Sequence, residues 1–166
     1  MKAERKYLAH YLDSAFDMTY AATSYVRLGE DLEEFSVELN PDVETSKNIL
    51  GESSVRHNGY EASSSADPVY YKYDEALSEK IMEIAMLRKN GDACKTSYVE
   101  VLLKPGEGGA EPTTIRAVRE DVYVIPTSYG GDTSGVQVPF EIHFTGKREE
   151  GDFDIKSKTF TAKVGL

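Results

Sequence analysis

Apolar and polar residues alternate between residues 136 and 144, where the sequence reads VQVPFEIHF. Successive side chains of a strand point to opposite faces, so this stretch predicts a half-buried strand. Its apolar face would carry Val136, Val138, Phe140, Ile142 and Phe144. Pro139 has no N–H to donate to a ladder, which predicts an edge position or a bulge there.

The preceding residues extend this strand into a hairpin. Residues 129–135 read YGGDTSG, which is typical of a turn, and residues 121–125 form a β-branched and aromatic run. We therefore expect a long hairpin over residues 115–147 with its loop near Gly130. In residues 98–103 and 121–125 the apolar residues fall on both faces, which predicts strands that are covered on both sides.

Weaker signals lie at the two ends of the chain. Alternation at Phe35, Val37 and Leu39 predicts one strand, and alternation at Phe160, Ala162 and Val164 predicts another. Residues 63–65 are three serines, which indicates a short loop.

Helical spacing is convincing only between residues 74 and 90. The predicted apolar stripe contains Leu77, Ile81, Ile84, Ala85 and Arg88, widened by Met82 and Met86. Asp74 is the expected N-cap, and Asn90 and Gly91 are expected to end the helix. The predicted fold class is mainly β with one α-helix (α+β), an antiparallel β-sandwich or partly closed barrel with a flanking helix.

Composition limits the possible functions. The chain has 166 residues, 40% of them hydrophobic and 29% charged, and no apolar run approaches the roughly 20 residues of a spanning helix. No signal peptide is recognisable, so we expect a soluble protein that stays in the cell that makes it. The net charge of −10 opposes nonspecific DNA binding. Residues 30–44 hold seven acids without Lys or Arg, which indicates either a solvated face or a surface that repels a polyanion or meets a basic partner.

Motifs for catalysis or metal binding are not recognisable. Cys94 is the only cysteine, and His10, His57 and His143 are widely spaced. The glycines at 106–109 lack the lysine of a phosphate-binding loop, and residues 131–135 lack the spacing of a nucleophile elbow. Residues 152–154 resemble a calcium loop only at its start. We therefore predict a protein that is not an enzyme, with no catalytic, cofactor-binding or metal-binding residues, although distant carboxylate pairs leave no spacing signal.

Tyrosines cluster around Pro68, namely Tyr60, Tyr70, Tyr71 and Tyr73. They suit a protein interface, and a glycan-binding platform is the alternative.

The layout of the chain resembles a known family. The residues that carry the resemblance are NPDVETSKNILGESS at 40–54, NGYE at 58–61, DPVYY at 67–71, the helix after Asp74, and VQVPFEIHFTG at 136–146. Together, over residues 23–164, they are similar to the major tail tube proteins of long-tailed bacteriophages and prophages.

The resemblance implies a structural virion protein, made in the bacterial host cytoplasm and located in the virion tail. Copies would form rings, expected to be hexameric, that stack into a tube through which DNA passes without specific binding. Its partners would be itself and other tail proteins such as the tape measure and tail terminator, with no membrane. Residues 23–166 would form a single tail-tube-like β domain. The early part of the chain departs from the resemblance: we expect residues 1–22 to form an N-terminal arm, although residues 5–17 could instead begin a helix.

Two other functions remain open from the sequence. One is a minor tail, tail-terminator or adaptor protein that forms a single ring, and the other is a soluble glycan- or peptide-binding β-sandwich module. For the tube protein, residues 40–54 combine Pro41, Gly51 and few apolar residues. We predict that they form a poorly packed excursion, ordered by a neighbouring ring.

Overall fold

Eight of the strands form one large sheet. The structure is a computed structural model that describes residues 1–17, 24–104 and 114–163. The sheet is antiparallel, has eight strands and curls into a half-barrel. The strands of the chain are β1 Leu8–Asp13, β2 Tyr25–Arg27, β3 Val37–Glu38, β4 Pro41–Lys47, β5 Ser53–Tyr60, β6 Ser63–Ala66, β7 Lys95–Leu102, β8 Thr114–Pro126, β9 Gly130–Asp132, β10 Gly135–Gln137, β11 Phe140–Asp154 and β12 Thr159–Ala162. The helix is α1 Ala76–Leu87, and 3-10 turns cover Arg5–Tyr7 and Gly91–Cys94.

Strand order in the large sheet is β2-β1-β7-β8-β11-β6-β3, and β12 also pairs with β11. The predicted hairpin is confirmed, because β8 and β11 pair from Phe140 opposite Pro126 to Asp154 opposite Thr114. The short strands β9 and β10 pair with each other in the connection between β8 and β11. The fold class predicted from the sequence, mainly β with one flanking helix, is confirmed.

Two apolar clusters lie on opposite faces of the sheet. On one face Leu77 and Ile81 of α1 pack in a cluster with Leu12, Tyr98, Val122, Val124, Phe140 and Ile142. On the other face Phe153 and Phe160 pack with Ala9, Tyr11, Tyr25, Val99, Val101, Ile115 and Ala117. Neighbouring residues of β7, such as Tyr98 and Val99, are therefore both buried, as the two-sided pattern predicted. The same prediction is wrong at Leu102 and Ile125, which are exposed.

The interpretation of residues 1–22 as an arm or a helix start is wrong for Leu8–Asp13. These residues form β1, which lies between β2 and β7 inside the sheet. Five of the six β1 residues are buried. Tyr11 and Leu12 face opposite clusters, so the strand shows two-sided burial rather than the alternation of a half-buried strand.

Several predicted boundaries differ from the structure. The strand expected at 136–144 is interrupted between β10 and β11, at Val138 and Pro139. The strand expected at 35–39 is reduced to Val37–Glu38, and the three serines at 63–65 form β6 rather than a loop. The predicted C-terminal strand is confirmed over Thr159–Ala162, and Val164 lies outside the described residues.

The helix is shorter than predicted at both ends. Asp74 has φ 62° and lies outside the helix, so the N-cap position falls on Glu75, which makes no side-chain capping bond. Arg88 takes the left-handed conformation at the C-cap and is exposed, so it does not belong to the apolar stripe. The buried positions are Leu77, Ser78, Ile81 and Ile84.

Candidate functional site

Strands β4 and β5 form a two-stranded sheet of their own. Their register runs from Pro41 opposite Tyr60 to Lys47 opposite Ser53, with an irregularity after Asp42. The backbone N–H of Glu61 donates to the carbonyl of Asn40 at 3.4 Å, which closes the base of the hairpin. Every residue of β4, and every residue of β5 except the half-buried Gly59, is exposed. The excursion predicted at 40–54 is therefore unpacked, but it is a regular hairpin rather than irregular chain.

A defined turn closes the tip of this hairpin. The Asn48 side-chain oxygen accepts hydrogen bonds from the backbone N–H groups of Leu50, at 2.9 Å, and Glu52, at 3.0 Å. Gly51 has φ 81°, a left-handed conformation that glycine adopts without strain. Ile49 and Leu50 lie on this turn with relative exposures of 103% and 76%. The turn thus presents two aliphatic side chains fully to solvent.

The two faces of the hairpin differ in character. Cross-strand pairing places Val43 opposite His57 and Thr45 opposite Val55 on one face. The other face carries Glu44 opposite Arg56 and Ser46 opposite Ser54. Val43 and Val55 are both exposed, as are Ile49 and Leu50 at the tip, so the hairpin carries four apolar side chains that its own chain does not cover. We call Val43, Ile49, Leu50 and Val55 the hairpin surface.

A cavity of about 330 Å³ lies between the start of α1 and two loop segments. Its walls come from residues 26–32, residues 68–70 with Lys72, the first residues of α1, and Phe140. Apolar side chains dominate the lining, among them Val26, Leu28, Leu32, Val69, Leu77 and Ile81. At the rim, Lys72 contacts Glu30 at 2.7 Å and Asp31 at 3.1 Å, and the hydrogen bond that Lys72 donates to Glu30 is the main cause of its raised pKa. We call this space the α1 cavity.

The four clustered tyrosines do not share one site, and Tyr70 is the one that lines the α1 cavity. Tyr70 also bridges to Gln137 of β10. Tyr71 and Tyr73 meet edge to face with ring centroids 5.4 Å apart, which does not make one flat platform. Tyr60 instead contacts His57 in the hairpin, with ring centroids 4.7 Å apart.

A chain of polar side chains is built into the sheet. Arg5 Nη2 lies 3.0 Å from His10 Nε2, and His10 Nδ1 contacts the Tyr98 hydroxyl. That hydroxyl donates to Glu100 at 3.1 Å, while Arg148 bonds both Glu100 and Glu120. Because the hydroxyl donates to Glu100, a His10 proton on Nδ1 leaves Nε2 to accept from Arg5. Each group is then satisfied with a neutral imidazole, which indicates a structural network.

Burial and neighbouring charges shift the pKa values of several groups in this network. Burial, followed by the positive charge of Arg5, lowers the pKa of His10 to about 4. Burial and Glu100 raise the pKa of the Tyr98 hydroxyl. Burial opposes charge on Arg148, but its bond to Glu100 and the charge of Glu120 raise its pKa. On the other face Arg119 donates to Asp121 at 2.8 Å, and both are buried. Sequence periodicity does not indicate the polar network, because its partners come from separate parts of the chain, whereas Arg119 and Asp121 lie two residues apart on β8.

Residues considered for catalysis or metal binding lie apart. Cys94 is buried, its thiol points to the Lys89 carbonyl at 3.3 Å, and burial raises its pKa, which disfavours the nucleophilic thiolate. His10 lies in the polar network, His57 in the hairpin, and His143 lies 3.1 Å from Glu141. Within the described residues no group of three or more His, Cys, Asp or Glu could hold a metal. The glycines at 106–109 lie outside the described residues.

The acidic run between residues 30 and 44 divides into two parts. Glu30 and Asp31 share Lys72. The others, Glu33, Glu34, Glu38, Asp42 and Glu44, are exposed.

Comparisons with known proteins give no family. No protein-family model matches the chain, and no curated protein matches it. No helix in the described part of the chain has the length and apolar character needed to cross a bilayer.

Proposed function

We propose that this protein is a structural subunit that assembles with copies of itself, and that the hairpin surface makes the contact. The observation that carries the proposal is the solvent exposure of Ile49 and Leu50 on a hydrogen-bonded turn. A two-stranded hairpin is only marginally stable by itself, and packing against a neighbour would bury its apolar side chains.

The proposed assembly is a stack of rings, hexameric by resemblance to tail tube proteins, that forms a phage tail tube. The net charge of −10 supports this assignment, because a conduit for DNA must not retain it. Under this proposal the protein resides in the virion tail. Its other partners are the tape measure and tail terminator, and it performs no catalysis.

A single-ring adaptor is the nearest alternative, because it would use the same kind of contact without stacking. A ligand-binding module is the second candidate, favoured by the α1 cavity, whose volume lies at the lower end of the range for small-molecule sites.

Sedimentation and negative-stain imaging of the purified full-length chain across a concentration series test these functions. Stacked rings support the tube, and single rings that never stack support the adaptor. A monomer at every concentration and salt contradicts self-assembly.

A control variant distinguishes a specific contact of the hairpin tip from nonspecific hydrophobic association. Replacing Ile49 and Leu50 together by serine should abolish assembly. Leu87→Ser removes a similarly exposed leucine from the end of α1 and should leave assembly intact.

A further inference from the structure

We propose that the α1 cavity is the receptor for the hairpin tip of a second copy, which inserts Ile49 and Leu50. The inference rests on the proposed self-assembly and assigns its two contact sites. It deepens that function by making the assembly contact head to tail.

The volume and apolar lining of the α1 cavity match the two side chains of the hairpin tip. The cavity holds about 330 Å³, roughly twice the ~150 Å³ apolar cavity that accepts a benzene-sized guest, which is room for two four-carbon side chains. Apolar side chains such as Leu28, Leu32 and Ile81 dominate its lining, and the charged side chains include Glu30, Asp31 and Lys72 at the rim. The tip offers two branched aliphatic side chains that no core covers. Both surfaces would lose contact with water when they meet.

The hairpin has the reach and stiffness to enter a neighbour. Its strands hold seven and eight residues, which at roughly 3.3 Å per residue extends the tip more than 20 Å from its base. The Asn48 bonds fix the turn before binding, which reduces the entropy lost on insertion. No hairpin residue lines the cavity of its own chain, so the insertion is between copies.

One pair of opposite charges lies near the two sites, beside Glu52 on the tip turn and Lys72 on the cavity rim. Lys47 directly precedes the tip turn, and Glu75 lies on the lining of the cavity at the N-cap of α1. Neither forms an ion pair within the part of the chain that the structure describes. Inserting the tip would bring a cation toward a carboxylate and orient the approach.

Tip and cavity are different surfaces, so the contact is heterologous. Repetition of such a contact from copy to copy closes a ring or extends a filament, unless two copies exchange their hairpins reciprocally. Two complementary defects should therefore stop it at a dimer.

The test mixes two full-length variants. The receptor variant carries Ile49→Ser and Leu50→Ser and keeps its cavity. The donor variant carries Ala76→Trp, which fills the cavity mouth from an exposed position and keeps the tip. We expect each alone to sediment as a monomer, and the equimolar mixture to form a one-to-one dimer at concentrations at least tenfold below those at which either variant associates with itself. Leu87→Ser and Met86→Trp are the matched controls, and both should assemble as wild type does.

A charge exchange tests the same contact without filling the cavity. Lys47→Glu and Glu75→Lys should each raise the concentration needed for assembly several-fold. The double variant should recover most of the loss.

The outcomes separate the two proposals. Wild-type chain that never assembles contradicts both. Assembly that survives in the receptor variant contradicts the hairpin contact of the proposed function as well as the cavity assignment. Assembly that survives only in the donor variant, or a mixture that stays monomeric, contradicts only the cavity assignment. Binding of wild type to phosphatidylglycerol vesicles that is lost in the receptor variant would assign the tip to membrane, and a small molecule retained in native mass spectra of wild type but not of Ala76→Trp would assign the cavity to a ligand. Either result overturns the inference.

Discussion

The large sheet and the β4–β5 hairpin are both antiparallel β-structure, but they are stabilised differently. In β7, Tyr98 and Val99 are buried on opposite faces of the sheet. In the hairpin, Val43 and Val55 are exposed, and the ordering contacts are the strand pairing and polar bonds such as Ser46 to Ser54 at 2.8 Å. Secondary structure alone therefore does not reveal which apolar residues stabilise the fold. Those of the sheet are used within the chain, and those of the hairpin are available to a partner.

The largest expected effect is on unfolding when a core residue is truncated. Phe153 is fully buried and contacts Tyr11, with ring centroids 4.7 Å apart. Phe153→Ala should lower the free energy of unfolding by about 3–5 kcal/mol, because it leaves a cavity. Val55→Ala in the hairpin should change it by less than about 0.5 kcal/mol. Chemical denaturation measures both, and a large loss in Val55→Ala would mean that the hairpin belongs to the core.

The second prediction concerns the pH dependence of stability, which the buried His10 should affect and the exposed His57 should not. The folded pKa of His10 is about 4, against 6.5 for the free side chain, so the unfolded chain binds this proton first as pH falls. Stability is therefore lost between about pH 6.5 and pH 4, on the order of 2–4 kcal/mol from this group. Thermal unfolding across that range should show a smaller pH dependence in His10→Gln than in wild type.

His57 in the hairpin provides the control for this pH effect, because it is exposed. His57→Gln should keep the wild-type pH dependence. If His10→Gln also keeps it, the buried network does not hold a neutral imidazole.

Removal of the β4–β5 hairpin tests whether the large sheet folds without it and whether assembly depends on it. The backbone bond between Asn40 and Glu61 brings the two ends of the hairpin together. Replacing residues 41–60 by a two-residue Asn-Gly turn should therefore leave the sheet folded, with the free energy of unfolding within about 1 kcal/mol of wild type. The variant should stay monomeric at every concentration. Circular dichroism and sedimentation check the two halves of this prediction, and assembly without the hairpin would contradict it.

Sequence periodicity predicted the elements that are half-buried or strongly amphipathic. Phe140 and Ile142 lie on the apolar face of β11, and Ile81 and Ile84 lie on the buried side of α1, where spacing in the chain maps directly to position on a face. Strand β1 was missed because it lacks that alternation and because its sequence, LAHYLD, has none of the β-branched residues that marked β7 and β8 as strands.

The hairpin and the α1 cavity could be predicted only in part. Residues 40–54 were recognised as unpacked, but pairing of β4 with β5 depends on backbone register and the Asn48 turn rather than on an apolar pattern. The α1 cavity joins residues from four separate stretches, from Val26 to Phe140. No spacing within one stretch could indicate it, because tertiary packing alone brings these side chains together.

The smallest expected effect is electrostatic and concerns the acidic run between the two regions. Glu33, Glu34 and Glu38 are exposed, whereas Lys72 offsets Glu30 and Asp31. If the run faces another copy, like charges oppose assembly, and salt that screens charges over about 8 Å at physiological ionic strength should promote it. Glu33→Gln, Glu34→Gln and Glu38→Gln together should lower the concentration at which light scattering appears several-fold at low salt, and should flatten its salt dependence. Each exposed charge contributes well under about 1 kcal/mol, so the effect is a shift of threshold and not a loss of assembly. A triple variant with the salt dependence of wild type would show that the run is a solvated face and plays no part in the contact between copies.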